Sequence, residues 1–156
     1  MSTEWPPQQS NVTPTLTPLT LTYSLPLVTL QSQWSDQVTM TIILTATLIC
    51  RLGLDPKLLA GIMGSATGRC WSVDTYNPCP GVLENVPSSN EYRGGFGTAL
   101  MTKDLGLAQD AATRTKAATP LGSLAHQLYR VMCTAGYAEK DFSSAFKFLR
   151  EEDAKK

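Results

Sequence analysis

Residues 97–136 read GTALMTKDLGLAQDAATRTKAATPLGSLAHQLYRVMCTAG, and this stretch decides the fold class. In its first half, Leu100, Leu107, Ala108 and Ala111 recur at helical spacing, which predicts an amphipathic helix from Gly97 to about Thr115. In the second half, Thr119-Pro120 is a helix-start signal, because proline suits the first helical position. The second helix is predicted to end at Gly136 and to turn five residues inward: Leu121, Leu124, Leu128, Val131 and Met132.

Further helices are predicted on both sides of this pair. Asp55-Pro56 predicts a capped helix from Pro56 to about Gly64. A last helix from about Lys140 to Glu152 is predicted to present four apolar residues, namely Phe142, Ala145, Phe146 and Leu149. The run from Val38 to Cys50 indicates a buried helix that ends at Gly53, although its β-branched residues leave a strand as an alternative. The fold class is therefore predicted to be all-α.

The first part of the chain has a different composition. It is rich in Thr, Leu, Pro and Ser, and Arg51 is the first basic residue of the sequence. Five prolines, at positions 6, 7, 14, 18 and 26, argue against any long helix through residue 30. The alternating residues 13–22 are compatible with an extended strand or with a disordered tail. We predict an irregular or disordered segment over residues 1–36 and a helical domain over residues 37–156.

Composition excludes several classes of function. The formal net charge is zero, so there is no electrostatic footprint for nucleic acid or for an anionic membrane. The apolar run at residues 38–50 is shorter than a bilayer requires, and the N-terminus has neither a secretory nor an arginine-rich presequence pattern. The four cysteines form no Cys-x-x-Cys pair and have a single histidine as a companion, so we predict free thiols and no metal site.

Three places could carry chemistry. Lys103 shares the helix face of Leu100 and Leu107, where it could either snorkel beside Asp104 or meet a ligand at a cleft. Phe96, in the Gly94-Gly95-Phe96-Gly97 turn, could face a ring or plug the core. His126 is better read as a partly buried histidine than as a catalytic base. The long stretch from Ser65 to Gly95 is either a packed functional loop or a connection pinned by its aromatic rings.

Eight motifs are distributed from about Arg51 to Asp153: RLGLDPKLL (51–59), GRCWS (68–72), DTYNP (74–78), GGF (94–96), KDLGLA (103–108), LGSLAHQ (121–127), KDFSS (140–144) and FLREE (148–152). Together they resemble the β-hydroxyacid dehydrogenase family, and within it the mitochondrial 3-hydroxyisobutyrate dehydrogenases of animals. The resemblance implies the helical C-terminal domain of the β-hydroxyacid/6-phosphogluconate dehydrogenase type. The coenzyme would be NAD, the substrate a small hydroxyacid, and the location the mitochondrial matrix, with the cytoplasm open because no presequence is recognised.

The resemblance also assigns roles to residues. The lysine of the family's Lys-Asp-Leu motif contacts the coenzyme, so Lys103 is predicted to do so, with Phe96 as a second candidate. The family's catalytic lysine and a following asparagine lie on the helix between its Rossmann and C-terminal domains. The corresponding region here, Gln31 to Leu48, contains neither residue type, and no Rossmann glycine fingerprint occurs in the chain. No catalytic residue is therefore predicted. We expect a truncated or alternatively spliced form of the dehydrogenase that is inactive alone. The alternative is a non-enzymatic interaction domain that forms homo-oligomers or pairs with the full-length enzyme.

Overall fold

The computed structural model of the protein describes the backbone of residues 18–154 and the side chains of residue 31 and residues 35–150. Within that range the chain is helical, and an isolated antiparallel bridge joins Gly97 to Asp141. The α-helices are α1 (Pro18–Arg51), α2 (Pro56–Gly64), α3 (Trp71–Asp74), α4 (Thr98–Thr115), α5 (Pro120–Met132) and α6 (Ala145–Ala154). Short 3₁₀ turns cover Pro87–Asn90 and Phe142–Ser144, and a π-turn covers Cys133–Tyr137. The predicted all-α class is confirmed.

The N-terminal helix is longer than the sequence predicted. α1 ends at Arg51, and Gly53 follows it at φ +74°, as the helix-end signal indicated. However, α1 begins at Pro18, so the prediction that prolines exclude a long helix was wrong, as was an irregular conformation for residues 18–36. Pro18 occupies the first helical position, which suits proline, whereas Pro26 lies inside the helix, where its ring has no N–H to donate. The remainder of the predicted segment, residues 1–17, lies outside the described residues.

The cap signals located the other helices well. α2 has the predicted bounds, and its cap residue Asp55 accepts a hydrogen bond of 2.9 Å from the backbone N–H of Lys57. α4 begins one residue after Gly97 and ends at Thr115 as predicted. α5 begins at Pro120, and the π-turn after it contains Gly136 at φ +89°. Cap residues act locally, so these boundaries could be read from sequence.

The predicted inward faces of α4 and α5 were right only in part. Ala108 and Met132 are buried and Leu128 packs against the core, as predicted. However, Leu100 and Leu107 of α4 are exposed, and so are Leu121, Leu124 and Val131 of α5. The buried faces carry two sets of mainly small or aromatic residues: Met101, Leu105, Ala108 and Ala112 on α4, and Gly122, Ala125, Tyr129 and Met132 on α5. The two helices pack against each other, and a Cβ placed on Gly106 would lie 3.4 Å from Nε2 of His126. Small residues permit this close approach, which bulky leucines would block.

The core lies where α1 meets α4, α5 and α6. Its most buried apolar members are Ile43, Leu105, Tyr129, Met132, Ala145 and Phe146. The last helix was predicted from about Lys140, but α6 begins at Ala145, after the 3₁₀ turn that contains Phe142. The predicted apolar residues are confirmed, since Phe142, Ala145 and Phe146 are buried and Leu149 packs against the cluster. Of the helices described, none has the length and apolarity needed to cross a bilayer.

The stretch between α2 and α4 is anchored by side chains. Tyr92 is buried, and its hydroxyl donates to the carbonyl of Pro78 at 2.8 Å. Ser88 donates to the carbonyl of Asn77 at 2.6 Å, and Ser72 shares a buried hydroxyl–hydroxyl hydrogen bond of 2.6 Å with Thr39 of α1. This arrangement matches the alternative of a connection pinned by its rings. It also fixes the Gly94–Gly97 turn relative to the helices.

Candidate functional site

The Gly94–Gly97 turn is built around one buried carboxylate. Oδ2 of Asp141 accepts hydrogen bonds from the backbone N–H of Phe96 at 2.8 Å and from the hydroxyl of Tyr76 at 2.7 Å. Its Oδ1 accepts from the backbone N–H of Ser143 at 3.0 Å and from the Ser143 hydroxyl. Asp141 is fully buried. Hydrogen bonds accepted by a carboxylate are stronger than those between two neutral groups. One side chain therefore joins the loop, the turn and the start of the last helix.

Burial and this carboxylate also change the acidity of Tyr76. Burial raises the pKa of the Tyr76 hydroxyl well above its usual value, and the hydrogen bond to Asp141 and its negative charge add to the effect. The phenol therefore stays protonated and remains a donor. Its ring stacks on Trp71 with centroids 4.6 Å apart and on Phe142 at 5.7 Å.

Gly95 lies in the narrowest part of the turn. It has φ +70°, and a Cβ at this position would be 2.3 Å from both Oδ2 of Asp141 and the hydroxyl oxygen of Tyr76. Both features require glycine. Next to it is an open groove of about 590 Å³, lined among others by Gly95, Tyr76, Arg93 and Asn90. The backbone of the turn is thus accessible from one side.

Phe96 is placed between core and surface. Its side chain is half-buried, packs against the core cluster, and meets Phe142 edge-to-face at a centroid distance of 6.4 Å. Its carbonyl accepts from the backbone N–H of Phe142 at 2.9 Å. The edge of the ring that faces Phe142 therefore fills the core, which is one of the two alternatives predicted for Phe96. Its role toward a coenzyme stays a prediction.

Lys103 lies on the exposed face of α4. Its side chain is 61% exposed, and Nζ is 2.9 Å from Oδ1 of Asp104, whose own side chain is largely buried. The local counter-charge that the sequence suggested is therefore present. Leu100 and Leu107, one turn to either side, are exposed with it. Lys103 lies about 8 Å along the axis from the start of α4, and it is not among the residues that line the groove beside Gly95.

The surroundings of His126 and of the four cysteines do not form a catalytic or metal-binding group among the described residues. His126 is half-buried between α4 and α5, and its pKa is lowered, mainly by burial and next by the charge of Arg130. All four cysteines are free. In the described part of the chain, no three His, Cys, Asp or Glu residues are grouped so that they could hold a metal ion.

Sequence reasoning missed two buried carboxylates. For Asp141, the signal was the Asp-Phe-Ser order of a cap, since its carboxylate accepts from the N–H two residues later. Asp36 is fully buried in α1, facing Tyr129 of α5. The sequence pattern that could have indicated Asp36 is weaker: apart from Arg51 at its end, α1 has no other charged residue.

Comparison with known proteins decides the family. Residues 38–149 match the family model described as the NAD-binding domain of NADP-dependent 3-hydroxyisobutyrate dehydrogenase. The chain belongs to this family. The resemblance stated from the motifs is thereby confirmed, as is the helical C-terminal domain type, and NAD binding is the property by which the family domain is described.

Relatives with similar sequences include 3-hydroxyisobutyrate dehydrogenases and one serine dehydrogenase. The mitochondrial 3-hydroxyisobutyrate dehydrogenase of Homo sapiens is 70% identical over 103 residues, which are 66% of this chain and 31% of the human protein. The NAD-dependent L-serine dehydrogenase of Pseudomonas aeruginosa is 55% identical over 97 residues, which are 62% of this chain and 33% of that protein. The chain thus spans about one third of the length of the 3-hydroxyisobutyrate dehydrogenase relatives it matches.

A solved structure supports the same assignment. The 3-hydroxyisobutyrate dehydrogenase of Mycobacterium tuberculosis, determined with L-serine, superposes with a TM-score of 0.75 at 38% identity. The superposition covers 80% of this chain and 42% of that one.

Proposed function

We propose that this chain forms the helical, coenzyme-facing side of a 3-hydroxyisobutyrate dehydrogenase cleft and does not oxidise the hydroxyacid by itself. The supporting observation is the match of residues 38–149 to the NAD-binding domain of that family. Hydride transfer also needs substrate and coenzyme held in contact and a base for the hydroxyl proton. The region predicted to correspond to the catalytic helix, Gln31 to Leu48, contains no lysine or asparagine.

Lys103 is the proposed coenzyme contact. Its mostly exposed ammonium, paired with Asp104 at 2.9 Å, can donate to a phosphate or a ribose hydroxyl. Phe96 is the second candidate, because the adjacent groove exposes the turn that carries it. Lys103 and Phe96 could each contact NAD, but the groove beside the turn is open and does not enclose a ligand. We therefore propose that the chain alone binds NAD only weakly.

An activity assay tests the first proposal. The purified chain is incubated with NAD and 3-hydroxyisobutyrate, and NADH formation is followed by absorbance, with the full-length human relative as the positive control. We expect no turnover above background. Turnover by the purified chain would overturn the proposal of inactivity and would require a base that the sequence does not reveal.

A binding experiment tests the role of Lys103 separately. Amide chemical shifts of the ¹⁵N-labelled chain are recorded during a titration with NAD into the millimolar range. We expect small shifts around Phe96 and Lys103, which Lys103→Ala removes and Lys103→Arg retains. Shifts confined to another part of the fold, or unaffected by Lys103→Ala, would contradict the assignment.

A second candidate function is association with another copy or with a full-length enzyme. It is favoured by the exposed apolar row of α5, formed by Leu121, Leu124 and Val131, which recur at helical spacing. Leu124 is 69% exposed. A row of large apolar side chains in water marks an interaction surface more often than isolated leucines do. We propose that a second helical domain of the same family covers this row.

The names of the relatives suggest where in the cell this chain is located. The human, bovine and Drosophila melanogaster proteins are all named mitochondrial. We propose the mitochondrial matrix and valine breakdown as the setting of this chain. Fractionation of cells that express the chain with a C-terminal tag checks the location: protease-resistant signal inside intact mitochondria is expected, and an exclusively cytosolic signal would contradict it.

A further inference from the structure

A second segment of the chain runs beside the turn that precedes α4. Residues 96–99 and residues 138–142 are far apart in sequence, yet three backbone hydrogen bonds of 2.8–3.1 Å join them. The bonded pairs are Thr98 with Lys140, Ala99 with Ala138, and Phe142 with Phe96. An isolated antiparallel bridge also pairs Gly97 with Asp141. The segment that leads into α6 therefore lies directly against the turn.

Asp141 extends this contact with its side chain, and its two carboxylate oxygens have different partners. Oδ2 accepts from the backbone N–H of Phe96 at 2.8 Å and from the hydroxyl of Tyr76 at 2.7 Å. Oδ1 accepts from the backbone N–H and from the hydroxyl of Ser143. One oxygen thus bonds to the turn and to Tyr76, and the other bonds to the 3₁₀ turn before α6.

The Oδ2 hydrogen bonds determine the direction of the Phe96 side chain. Phe96 donates its N–H to Asp141, and its carbonyl accepts from the N–H of Phe142 at 2.9 Å. Because both backbone polar groups of Phe96 are bonded, the peptide planes on either side of its Cα are held, and these planes set the Cα–Cβ direction. Tyr76 stacks on Trp71 and on Phe142, which holds its hydroxyl at Oδ2.

We propose that Asp141 is a positioning residue for the coenzyme, because its Oδ2 holds the turn in the conformation that presents Phe96 to NAD. The inference rests on the proposed function, in which this turn faces the coenzyme. Asp141 is fully buried, so it acts through Phe96 and does not touch the ligand itself. A turn that is already held in its binding conformation loses less conformational entropy when a ligand binds, which raises the affinity. The hydrogen bonds of Oδ1 stabilise the fold without this effect on the turn.

Two matched substitutions separate the roles of the two oxygens. Tyr76→Phe removes one hydroxyl donor from Oδ2 and keeps the aromatic ring, whereas Ser143→Ala removes one hydroxyl donor from Oδ1 and keeps the backbone N–H. Each variant leaves the carboxylate with three of its four hydrogen bonds, so both should lower Tm by a few degrees. Asp141→Asn is the direct change, but an amide presents one oxygen to these four donors, so a loss of binding could reflect unfolding.

Amide hydrogen exchange measures the turn without any ligand. The exchange rate of the Phe96 amide is compared with that of the Leu105 amide, which lies in the buried core of α4 and reports unfolding of the whole domain. Tyr76→Phe should raise the ratio of the two rates about fivefold, the factor that corresponds to the loss of one hydrogen bond. Ser143→Ala should raise both rates equally and leave their ratio unchanged.

Titration with NAD provides the second readout on the same three proteins. The dissociation constant is taken from the amide chemical shifts around Lys103. We expect it to rise about fivefold in Tyr76→Phe and to stay within about twofold of the parent value in Ser143→Ala. A purely structural role for Asp141 would instead change the two dissociation constants alike, because each variant loses one bond to the same carboxylate.

The outcomes separate this inference from the proposed function. Equal dissociation constants in the two variants would overturn the positioning role of Asp141. Weaker binding by Tyr76→Phe with an unchanged exchange ratio would also overturn it, because the hydroxyl of Tyr76 would then contact the ligand directly. If the parent chain shows no NAD-dependent shifts at all, the proposed function fails, and the positioning role fails with it.

Discussion

At the scale of single residues, Asp141 organises the candidate site. Its carboxylate accepts from the backbone of Phe96, from Tyr76 and from Ser143, and it does so without exposure to water. A buried carboxylate is costly unless donors surround it, and here four hydrogen bonds do so. These hydrogen bonds hold the turn before α4 against Tyr76 and against the segment that leads into α6.

Gly95→Ala is predicted to destabilise the fold strongly. The added methyl group would overlap the Asp141 carboxylate and the Tyr76 hydroxyl at 2.3 Å and would strain a residue at φ +70°. We expect a loss of about 2 kcal/mol or more in the free energy of unfolding, measured in urea. Gly94→Ala is the matched control, because Gly94 has φ +79° with no atom within 4 Å of a Cβ, and it should lose only about 1 kcal/mol. Equal losses in the two variants would refute the contact argument.

Lys103→Ala is predicted to leave the fold intact. Its ammonium is mostly in water, so the pair with Asp104 should contribute less than about 1 kcal/mol. Thermal unfolding should therefore show a Tm within a few degrees of the parent chain. A large fall would mean that the ammonium mainly compensates the buried carboxylate of Asp104, which would restore a structural role.

At the scale of elements, the contact between α1 and α5 contains a buried carboxyl group without a hydrogen-bond partner among the described residues. Both carboxylate oxygens of Asp36 and the hydroxyl of Tyr129 have no hydrogen-bond partner among the residues that the structure describes. Burial raises the pKa of Asp36 to about 7, and the approach of the Tyr129 hydroxyl offsets only part of that rise. Burial, and next the charge of Asp36, in turn raises the pKa of Tyr129.

The Asp36 contribution is predicted to make the fold less stable as pH rises. From its unfolded value near 3.8 to about 7, the native state holds a proton that the unfolded state has lost. Stability from this group is therefore complete below pH 4, falls through the interval and is lost above pH 7, by at most roughly 3 kcal/mol between pH 5 and pH 8. Urea unfolding at a series of pH values measures this fall.

Asp36→Asn provides the control for that measurement. The amide cannot ionise, so the difference between parent and variant should change with pH while contributions common to both cancel. One such contribution is His126, whose lowered pKa makes stability rise with pH through the range near 6.5. A difference that is constant from pH 5 to pH 8 would show that Asp36 does not titrate in this range.

The elements also show what sequence patterns can resolve. Asp55-Pro56 and Thr119-Pro120 located the starts of α2 and α5, because a cap acts within a few residues. The leucine stripes of α4 and α5 misidentified the buried faces. Each helix carries an exposed stripe that includes large leucines beside a buried stripe of apolar residues of mixed size, and periodicity does not decide between them.

At the scale of the molecule, the exposed row of α5 predicts association. Leu121→Glu/Leu124→Glu should abolish co-purification with a tagged full-length human relative, because two carboxylates would have to be buried in an apolar contact. Ala118→Glu, in the exposed segment before α5, is the control and should leave co-purification unchanged. If neither the parent chain nor the variants associate with the enzyme or with another copy, the proposed interaction function is removed.

The sequence by itself determined the all-α class, most helix ends and the family, because caps, spacing and motifs are local properties of neighbouring residues. It also indicated Lys103 and Phe96, but only through the family's pattern. The tertiary structure alone decided which faces of α4 and α5 are buried and that Asp141, Tyr76 and Gly95 meet. These depend on contacts between residues tens of positions apart, and close packing, rather than local preference, selects among the possible partners.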